Sequence, residues 1–244
     1  MHYLSAEDIL ILNDWGQGRS LTERSLAAIN VAFPEKSWEE LIAMPIGGRD
    51  QFLLAVYEEC FGKSIVGVSD CPGCDEEIEM TVPVAQIRSE DASFEPATVS
   101  ASNGQYRVRS RLPDSSDLLD IAPSQDLEEA RRRLIGRCIV SSRYRGKSIS
   151  PHRLPTYVLK AVAESILLED QQAEILMDVH CPACDHAWEI QFDISYHFWE
   201  SLAKSADALF WEVHVLAKAY GWQEDNILSM NAWRRHQYLN HVNA

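Results

Sequence analysis

Two stretches of the chain, Cys71-Pro72-Gly73-Cys74 and Cys181-Pro182-Ala183-Cys184, share one pattern, and each is followed by Asp. A Pro after the first Cys favours a tight turn, and a small residue before the second lets the backbone fold closely around the sulfur atoms. Two thiolates from one such turn fit adjacent positions around a tetrahedral metal ion, and a second turn completes a four-sulfur shell. The spacing therefore predicts one structural zinc ion bound by Cys71, Cys74, Cys181 and Cys184.

Each cysteine pair precedes a segment in which polar and apolar residues alternate, residues 77–82 after the first pair and residues 187–192 after the second. Alternation with a period of two is typical of a β-strand with one buried face. We therefore expect two β-hairpins that share the metal and form a zinc-ribbon-like platform. Because four sulfur atoms close the coordination shell, no position is left for a substrate or a water molecule.

The four cysteines have other interpretations. They could be ordinary buried side chains, or they could bind iron as in rubredoxin, which uses the same ligand shell. His180 and His186 flank the second pair and could each replace a sulfur ligand, although a role outside the ligand shell fits them better. A zinc deaminase does not fit, because its pattern has an upstream His-x-Glu motif and a Pro before the cysteine pair rather than inside it.

The composition is typical of a globular protein with one elaborated domain or two small ones, since 46% of the 244 residues are hydrophobic. The sequence has no run of eighteen apolar residues, and its N-terminus lacks the basic segment of a signal peptide. Four of the six cysteines have metal-ligand spacing, which suits a reducing compartment better than a set of disulfides does. Together these features predict a cytoplasmic protein. The two isolated cysteines, Cys60 and Cys138, are expected to be small buried hydrophobic side chains.

The formal net charge of −15, from 22 basic and 37 acidic residues, opposes general binding to nucleic-acid phosphates. Residues 130–163 are an exception, because they contain no acidic residue. This basic segment, most of whose charge lies in residues 131–153, either neutralises acidic surfaces of the same chain or meets an acidic partner or a nucleic acid. Its basic residues are Arg131, Arg132, Arg133, Arg137, Arg143, Arg145, Lys147, Arg153 and Lys160.

Periodicity and turn signals together predict a mainly helical α+β fold. Residues 1–63 are predicted to be an N-terminal helical segment, and residues 64–194 the zinc-ribbon-like β platform. The platform contains a long insert, residues 75–180, which holds a β-hairpin and several helices. Residues 195–244 are predicted to be a C-terminal helical segment, because apolar residues recur there at intervals of three and four.

Helix limits follow from capping signals. Ser20 and Glu23 form a capping box, which predicts a helix over residues 21–32. A turn over residues 45–50 is expected to lead into a helix over residues 51–61. Within the insert, a capped helix is expected from residue 124 to about residue 140.

The predicted hairpin of the insert pairs residues 98–102 with residues 105–111. Asn103-Gly104 lies between them and predicts a type I′ turn, because both central positions of that turn need a positive φ. The residues that follow the insert's long helix, 143–155, are expected to form a basic loop.

No catalytic residue is predicted, and no cofactor-binding residue besides the four cysteines. His197 lies near Glu200 and His214 near Glu212, but neither histidine has a nucleophile or a carboxylate pair at motif spacing. Both are therefore expected to have packing or surface roles, and the chain is predicted not to be an enzyme. Seven Trp residues in such an acidic chain are typical of a protein that docks on other proteins.

The ordered motifs of the chain resemble the baseplate hub assembly chaperone family of contractile-tailed phages and related contractile injection systems. The resemblance covers nearly the whole chain. It rests on Met44-Pro45-Ile46-Gly47-Gly48-Arg49-Asp50, Phe61-Gly62, both cysteine pairs, Arg109 to Asp114, Asp117-Leu118, Trp188, Phe192-Asp193-Ile194, Glu212-Val213-His214, Tyr220-Gly221-Trp222, Ile227-Leu228, Arg234-Arg235 and Tyr238-Leu239.

The resemblance implies a non-enzymatic protein that helps to build the hub of a contractile tail, as a transient helper or as a minor retained component. Its partners would be hub, spike or wedge proteins of the baseplate, and neither a nucleic acid nor a membrane. A zinc-ribbon protein that binds nucleic acid or has a regulatory role through residues 131–153 is the main alternative. A metalloenzyme or redox protein would need an open or labile metal position.

Overall fold

The computed structural model of the chain describes residues 1–89 and 97–242, and the fold is mainly helical with small antiparallel sheets. The chain begins with four helices, three of which start at a capping box formed by a Ser and an acidic residue three positions later. The prediction for residues 21–32 is confirmed at both ends. The four helices are α1 (Ala6–Trp15), α2 (Leu21–Ala32), α3 (Trp38–Ile42) and α4 (Ile46–Phe61).

Helix α4 begins at Ile46, so the expected turn over residues 45–50 is wrong. Pro45 is the N-cap, and Gly47 and the residues after it are already helical and buried. The Gly47 N–H donates a hydrogen bond of 3.0 Å to the Asp170 carboxylate, which lies 123 positions away in sequence. A side chain at Gly47 would collide with that carboxylate, since a Cβ there would lie 1.8 Å from Oδ1. Gly47 thus serves close packing rather than a turn.

Two separate β-ribbons, each a two-stranded antiparallel sheet, carry the cysteine pairs at their tips. In the first ribbon, β1 (Ser64–Asp70) pairs with β2 (Glu77–Pro83). In the second, β7 (Ile175–His180) pairs with β8 (Ala187–Phe192). The two predicted hairpins are therefore present, and a short helix α5 (Val84–Ile87) follows the first of them.

Between the ribbons, the part of the insert from Thr98 to Glu169 forms a four-stranded antiparallel sheet with helices, and the name insert refers to this part from here on. In chain order its elements are β3 (Thr98–Asn103), β4 (Tyr106–Arg111), α6 (Ser115–Ile121), α7 (Leu127–Cys138), β5 (Ile139–Tyr144), β6 (Lys147–Ser148) and α8 (Thr156–Glu169). The strands lie in the order β3-β4-β5-β6. The segment over residues 89–95, which the sequence predicts to be polar and loose, lies outside the described residues apart from Ser89.

Three local predictions for the insert are wrong. The β3–β4 loop is Gly104-Gln105, because Asn103 pairs with Tyr106, and only Gly104 has a positive φ. Helix α7 is capped by Asp126 and ends at Cys138, where β5 begins. The expected basic loop instead contains a second hairpin, whose turn residues Arg145 and Gly146 both have the positive φ of a type I′ turn.

The C-terminal residues are helical, as predicted. Helix α9 (Ile194–Tyr220) starts at the capping residue Asp193 directly after β8 and ends at Gly221, whose φ of +70° is left-handed. Two shorter helices, α10 (Glu224–Leu228) and α11 (Ala232–Val242), pack back on α9. Within the described ranges, no helix combines the length and the apolar composition needed to cross a bilayer.

The hydrophobic core has two main parts. The larger part joins side chains from all three predicted segments, including Ile29 of residues 1–63, Ile65 of residues 64–194 and Leu202 of residues 195–244. The smaller part lies within the insert, between its sheet, α7 and α8. The bases of both ribbons therefore pack on the main core, while their tips extend away from it.

Candidate metal centre

The two cysteine loops, residues 71–76 and 181–186, have the same backbone structure. In each loop the N–H of the first cysteine donates to the carbonyl five residues later, at 2.9 Å for Cys71 and 2.8 Å for Cys181. The same cysteine carbonyl accepts from the N–H of the following Asp, at 2.9 Å from Asp75 and 3.0 Å from Asp185. Both Asp residues have a positive φ, 59° and 58°, a conformation that Asp tolerates better than most residues.

The two loops meet at their tips and bring the four predicted ligands together. All four sulfur atoms lie within 4.8 Å of one another. Two of the separations run between the loops, 3.6 Å from the sulfur of Cys71 to that of Cys184 and 3.7 Å from the sulfur of Cys74 to that of Cys181. A tetrahedral zinc ion with Zn–S bonds of about 2.3 Å requires S···S separations of about 3.8 Å. The four cysteines are free, and their arrangement can hold a single metal ion.

The environment of the sulfur atoms favours the thiolate at Cys181 and disfavours it at Cys74. Desolvation raises the pKa of the Cys181 thiol, but hydrogen bonds from the backbone N–H groups of Cys184 and Ala183 and from neighbouring thiols lower it to about 7. The Glu76 N–H lowers the pKa of Cys74, yet the thiols beside it raise that pKa to about 12. Opposite shifts are expected in a tight sulfur cluster, because one thiolate suppresses the ionisation of its neighbours until a cation binds.

The loops pack closely beside the sulfur atoms. A Cβ at Gly73 would lie 3.2 Å from the Cβ of His186 and 3.5 Å from the sulfur of Cys184. The His186 ring stacks on Trp188, and His180 lies 3.8 Å from the Asp185 carboxylate. Among the described residues, the potential metal-binding cluster contains cysteines alone, so both histidines lie outside it.

The isolated cysteines do not join the cluster. Cys138 is buried, and desolvation together with the Asp117 carboxylate raises the pKa of its thiol to about 12. Cys60 is half-buried, and desolvation likewise raises its pKa. The expected hydrophobic role is therefore confirmed for Cys138 and holds in part for Cys60.

The two histidines that the sequence singled out have separate surroundings. His197 is half-buried and stacks on Phe192, and desolvation lowers its pKa. His214 is exposed, and the neighbouring Glu212 instead accepts a hydrogen bond of 2.6 Å from Arg235. Glu212 also lies 3.1 Å from His236. Sequence reasoning missed the buried Glu212–Arg235 pair, because the two residues are 23 positions apart and share no motif.

The basic segment neutralises acidic groups of its own chain only in part. Arg137 lies 2.7 Å from the buried Asp117 carboxylate, and Arg133 lies 2.9 Å from Asp120. Arg111, from the preceding strand, completes the Asp117 network at 2.6 Å. In the part of the chain that the structure describes, Arg143 has no such carboxylate partner.

Residues 28–199 match the protein family described as T4 bacteriophage base plate protein. The chain belongs to this family. The match includes both cysteine loops and the whole insert, and it ends near the start of α9. No curated protein and no solved structure matches the chain significantly. Membership of this family supports a structural or assembly role in a baseplate, together with other baseplate components. It agrees with the resemblance to baseplate proteins found in the sequence.

Proposed function

We propose that the protein is a non-enzymatic assembly factor or minor structural component of a contractile-tail baseplate hub, stabilised by one zinc ion. The family match supports the baseplate role. The observation that carries the rest is the cluster of four cysteine sulfur atoms at the tips of two ribbons, because four thiolates on one ion would leave no open position for chemistry. The protein would act in the cytoplasm, where tails assemble, by docking on hub, spike or wedge proteins.

The proposed zinc ion would act as a cross-link. A single two-stranded hairpin is marginally stable in water, and here two of them project from the main core with a long insert between them. Four thiolates on one ion would hold both tips together and fix their relative orientation. Because β8 continues through Asp193 into α9, the same link would also fix the start of the longest helix.

Exposed aromatic side chains supply a surface for docking. Trp211 on α9 and Trp233 on α11 are 53% and 72% exposed, and Phe210 beside Trp211 is 43% exposed. Large aromatic side chains are enriched among the residues that dominate binding energy at protein interfaces. Their exposure, outside the cores of the chain, fits a protein whose function is to bind others.

The decisive experiment is a pull-down of the tagged protein from cells that assemble the complete tail, with bound zinc measured on the same sample. We expect recovery of a hub, spike or wedge protein together with about one zinc ion per chain. A variant with Cys71→Ser and Cys181→Ser should lose both, whereas Cys60→Ser should retain both. A soluble double variant that still recovers the client at the wild-type level would refute the role of the metal. Recovery of no tail protein by the wild type would refute the assembly role.

A further inference from the structure

Charge is distributed very unevenly along the chain. Residues 97–163 contain twelve Lys or Arg and six Asp or Glu, although the whole chain carries a net charge of −15. The ribbon segments, residues 64–83 and 174–193, each contain five Asp or Glu and no Lys or Arg. One molecule thus presents a basic region and a strongly acidic region.

The basic region includes one open face of the insert's sheet, which we call the arginine face. Helix α8 and the insert core cover the opposite face, where Val99, Ala101 and Val108 are buried. On the arginine face, Arg107 of β4 pairs directly with Arg143 of β5. The face consists of Ser100, Ser102, Arg107, Arg109, Ser141 and Arg143.

The arginines of this face are unpaired within the described chain. Arg107, Arg109 and Arg143 are exposed, and none of them makes an ion pair or a side-chain hydrogen bond with residues 1–89 or 97–242. Like charges directly opposite each other on two strands are destabilising. An anionic group placed between Arg107 and Arg143 would therefore relieve a cost that the isolated molecule bears.

The acidic region has the matching arrangement on the first ribbon, and we call the exposed side of that ribbon the acidic ribbon face. There Asp70 pairs directly with Glu77, and Glu79 lies on the same side two positions further along β2. None of these three carboxylates has an ion-pair partner among the described residues. Beside them the same face exposes apolar side chains: Val66 is 53% and Val68 56% exposed.

We propose that the acidic ribbon face of one copy of this chain docks on the arginine face of a second copy. Both faces present like-charged pairs on neighbouring strands, which lie about 4.8 Å apart in any sheet, so the charges can interdigitate in register. Within one chain, no ion pair of the described residues joins the two faces. A second copy satisfies both faces together, whereas a nucleic acid would satisfy the arginine face alone.

The contact is head-to-tail, because the two faces are different surfaces. Such a contact leaves one arginine face and one acidic ribbon face free at the ends of a dimer, so it continues into rings or longer assemblies as concentration rises. The contact should also depend on salt, since exposed charges are screened beyond about 14 Å at 50 mM ionic strength and beyond about 4 Å at 500 mM.

Sedimentation velocity of the zinc-loaded protein tests this inference. We expect concentration-dependent association at about 50 mM salt, weakened at least roughly tenfold at about 500 mM. Reversing one face, by Arg107→Glu with Arg143→Glu or by Glu77→Lys with Glu79→Lys, should abolish association. A chain with all four substitutions should associate again, because the two faces are complementary once more with their signs exchanged.

Matched controls separate the faces from charge in general. Arg153→Glu with Lys160→Glu changes two exposed residues of the insert that are not on the arginine face. Glu35→Lys with Glu224→Lys changes two exposed residues outside the ribbons. Both double variants should associate like the wild type. A monomeric wild type at about 100 μM in low salt, or a four-substitution chain that stays monomeric, would overturn the proposal. So would a labelled DNA duplex that binds wild type and loses binding in the arginine-face variant alone. The hub-client pull-down is read independently, so failure of self-association leaves the proposed function standing.

Discussion

At the scale of single residues, the exposed Cys74, a proposed ligand, offers the cleanest test of the proposed metal centre. Because Cys74 lies on the surface of the loop, Cys74→Ser should leave the main core intact while removing one thiolate. We expect apparent zinc affinity to fall by more than about 100-fold, beyond the 10–100-fold typical of residues that only support ligands. Competition with a chromophoric chelator measures this change. Cys60→Ser is the control, and equal affinities for the two variants would show that Cys74 is not a ligand.

Gly47 and Gly136 give opposite predictions for the same substitution. Gly47→Ala places a Cβ 1.8 Å from Oδ1 of Asp170 and 2.9 Å from Cβ of Gln172, and it should cost about 2–3 kcal/mol of unfolding free energy. At Gly136 in α7 an added Cβ meets nothing within 4 Å, so Gly136→Ala should stabilise by about 0.5–1 kcal/mol. Urea denaturation measures both. A neutral Gly47→Ala would mean that Asp170 does not occupy this space.

Asp117 should make stability depend on pH. Desolvation raises its pKa, but hydrogen bonds from Arg111 and Arg137 outweigh that effect and hold the pKa below its usual value. Because the folded-state pKa is below the unfolded one, the contribution is present above about pH 4 and is lost as pH falls through the folded pKa. Asp117→Asn should therefore cost about 3–5 kcal/mol at pH 7, and less in acid.

Denaturant titrations of the Asp117→Asn variant from about pH 2 to about pH 7 measure this dependence, because carboxyl groups titrate within that range. The control is Asp120→Asn, whose ion pair with Arg133 is exposed and should contribute less than about 1 kcal/mol. A loss for Asp117→Asn that is the same at every pH would show that the ion pairs are not its cause.

At the scale of elements, sequence signals succeed where the deciding contacts are local. Ser20 and Glu23 cap α2 across three residues, and each cysteine loop is defined within six, so both could be predicted. The start of α4 depends on Asp170, which is distant in sequence, so no local pattern near Pro45 could reveal it. Strand β5 could not be predicted from local sequence either, because it pairs with β4, which lies about thirty residues earlier in the chain.

The meeting of the two cysteine loops could also be predicted, because tetrahedral coordination demands four ligands and the sequence supplies two matching pairs. The arginine face could not. Arg107 and Arg143 lie opposite each other only because of the β4–β5 register. The sequence predicts a loop over residues 143–155, because the tight turn at Arg145-Gly146 leaves only short strand segments on either side. A composition count finds the charge but not its arrangement on one face of a sheet.

Removing the metal should loosen the ribbons selectively. The N–H groups of Cys71 and Cys181 are protected by hydrogen bonds inside the cysteine loops, and two-stranded ribbons are marginal without a cross-link. After chelation we expect faster amide hydrogen exchange at both ribbon tips and unchanged exchange in β3 and β4, which pack on the insert core. Exchange measured by mass spectrometry distinguishes these regions. Equal acceleration in both would indicate global unfolding, and no change at the tips would show that no metal holds them.

At the scale of the whole molecule, the two hydrophobic cores stabilise different parts of the chain. The main core fixes the bases of both ribbons and the first half of α9, while the insert carries its own core and its own charge. The second half of α9 contributes to two smaller clusters, which join it to α1, α10 and α11. Surfaces around this end of the molecule can therefore be changed with little effect on the rest.

That separation lets docking be tested apart from folding. Trp211→Ala with Trp233→Ala removes two rings that are more than half exposed, so the melting temperature should change little while recovery of the hub client falls at least about tenfold. Trp222→Ala is the contrasting variant, because its ring lies between Tyr220 at 4.6 Å and Tyr238 at 4.8 Å and its loss should cost about 3 kcal/mol. Thermal unfolding and pull-down on the same preparations separate the two effects. If the exposed pair loses stability but keeps the client, these rings support the fold and the docking surface lies elsewhere.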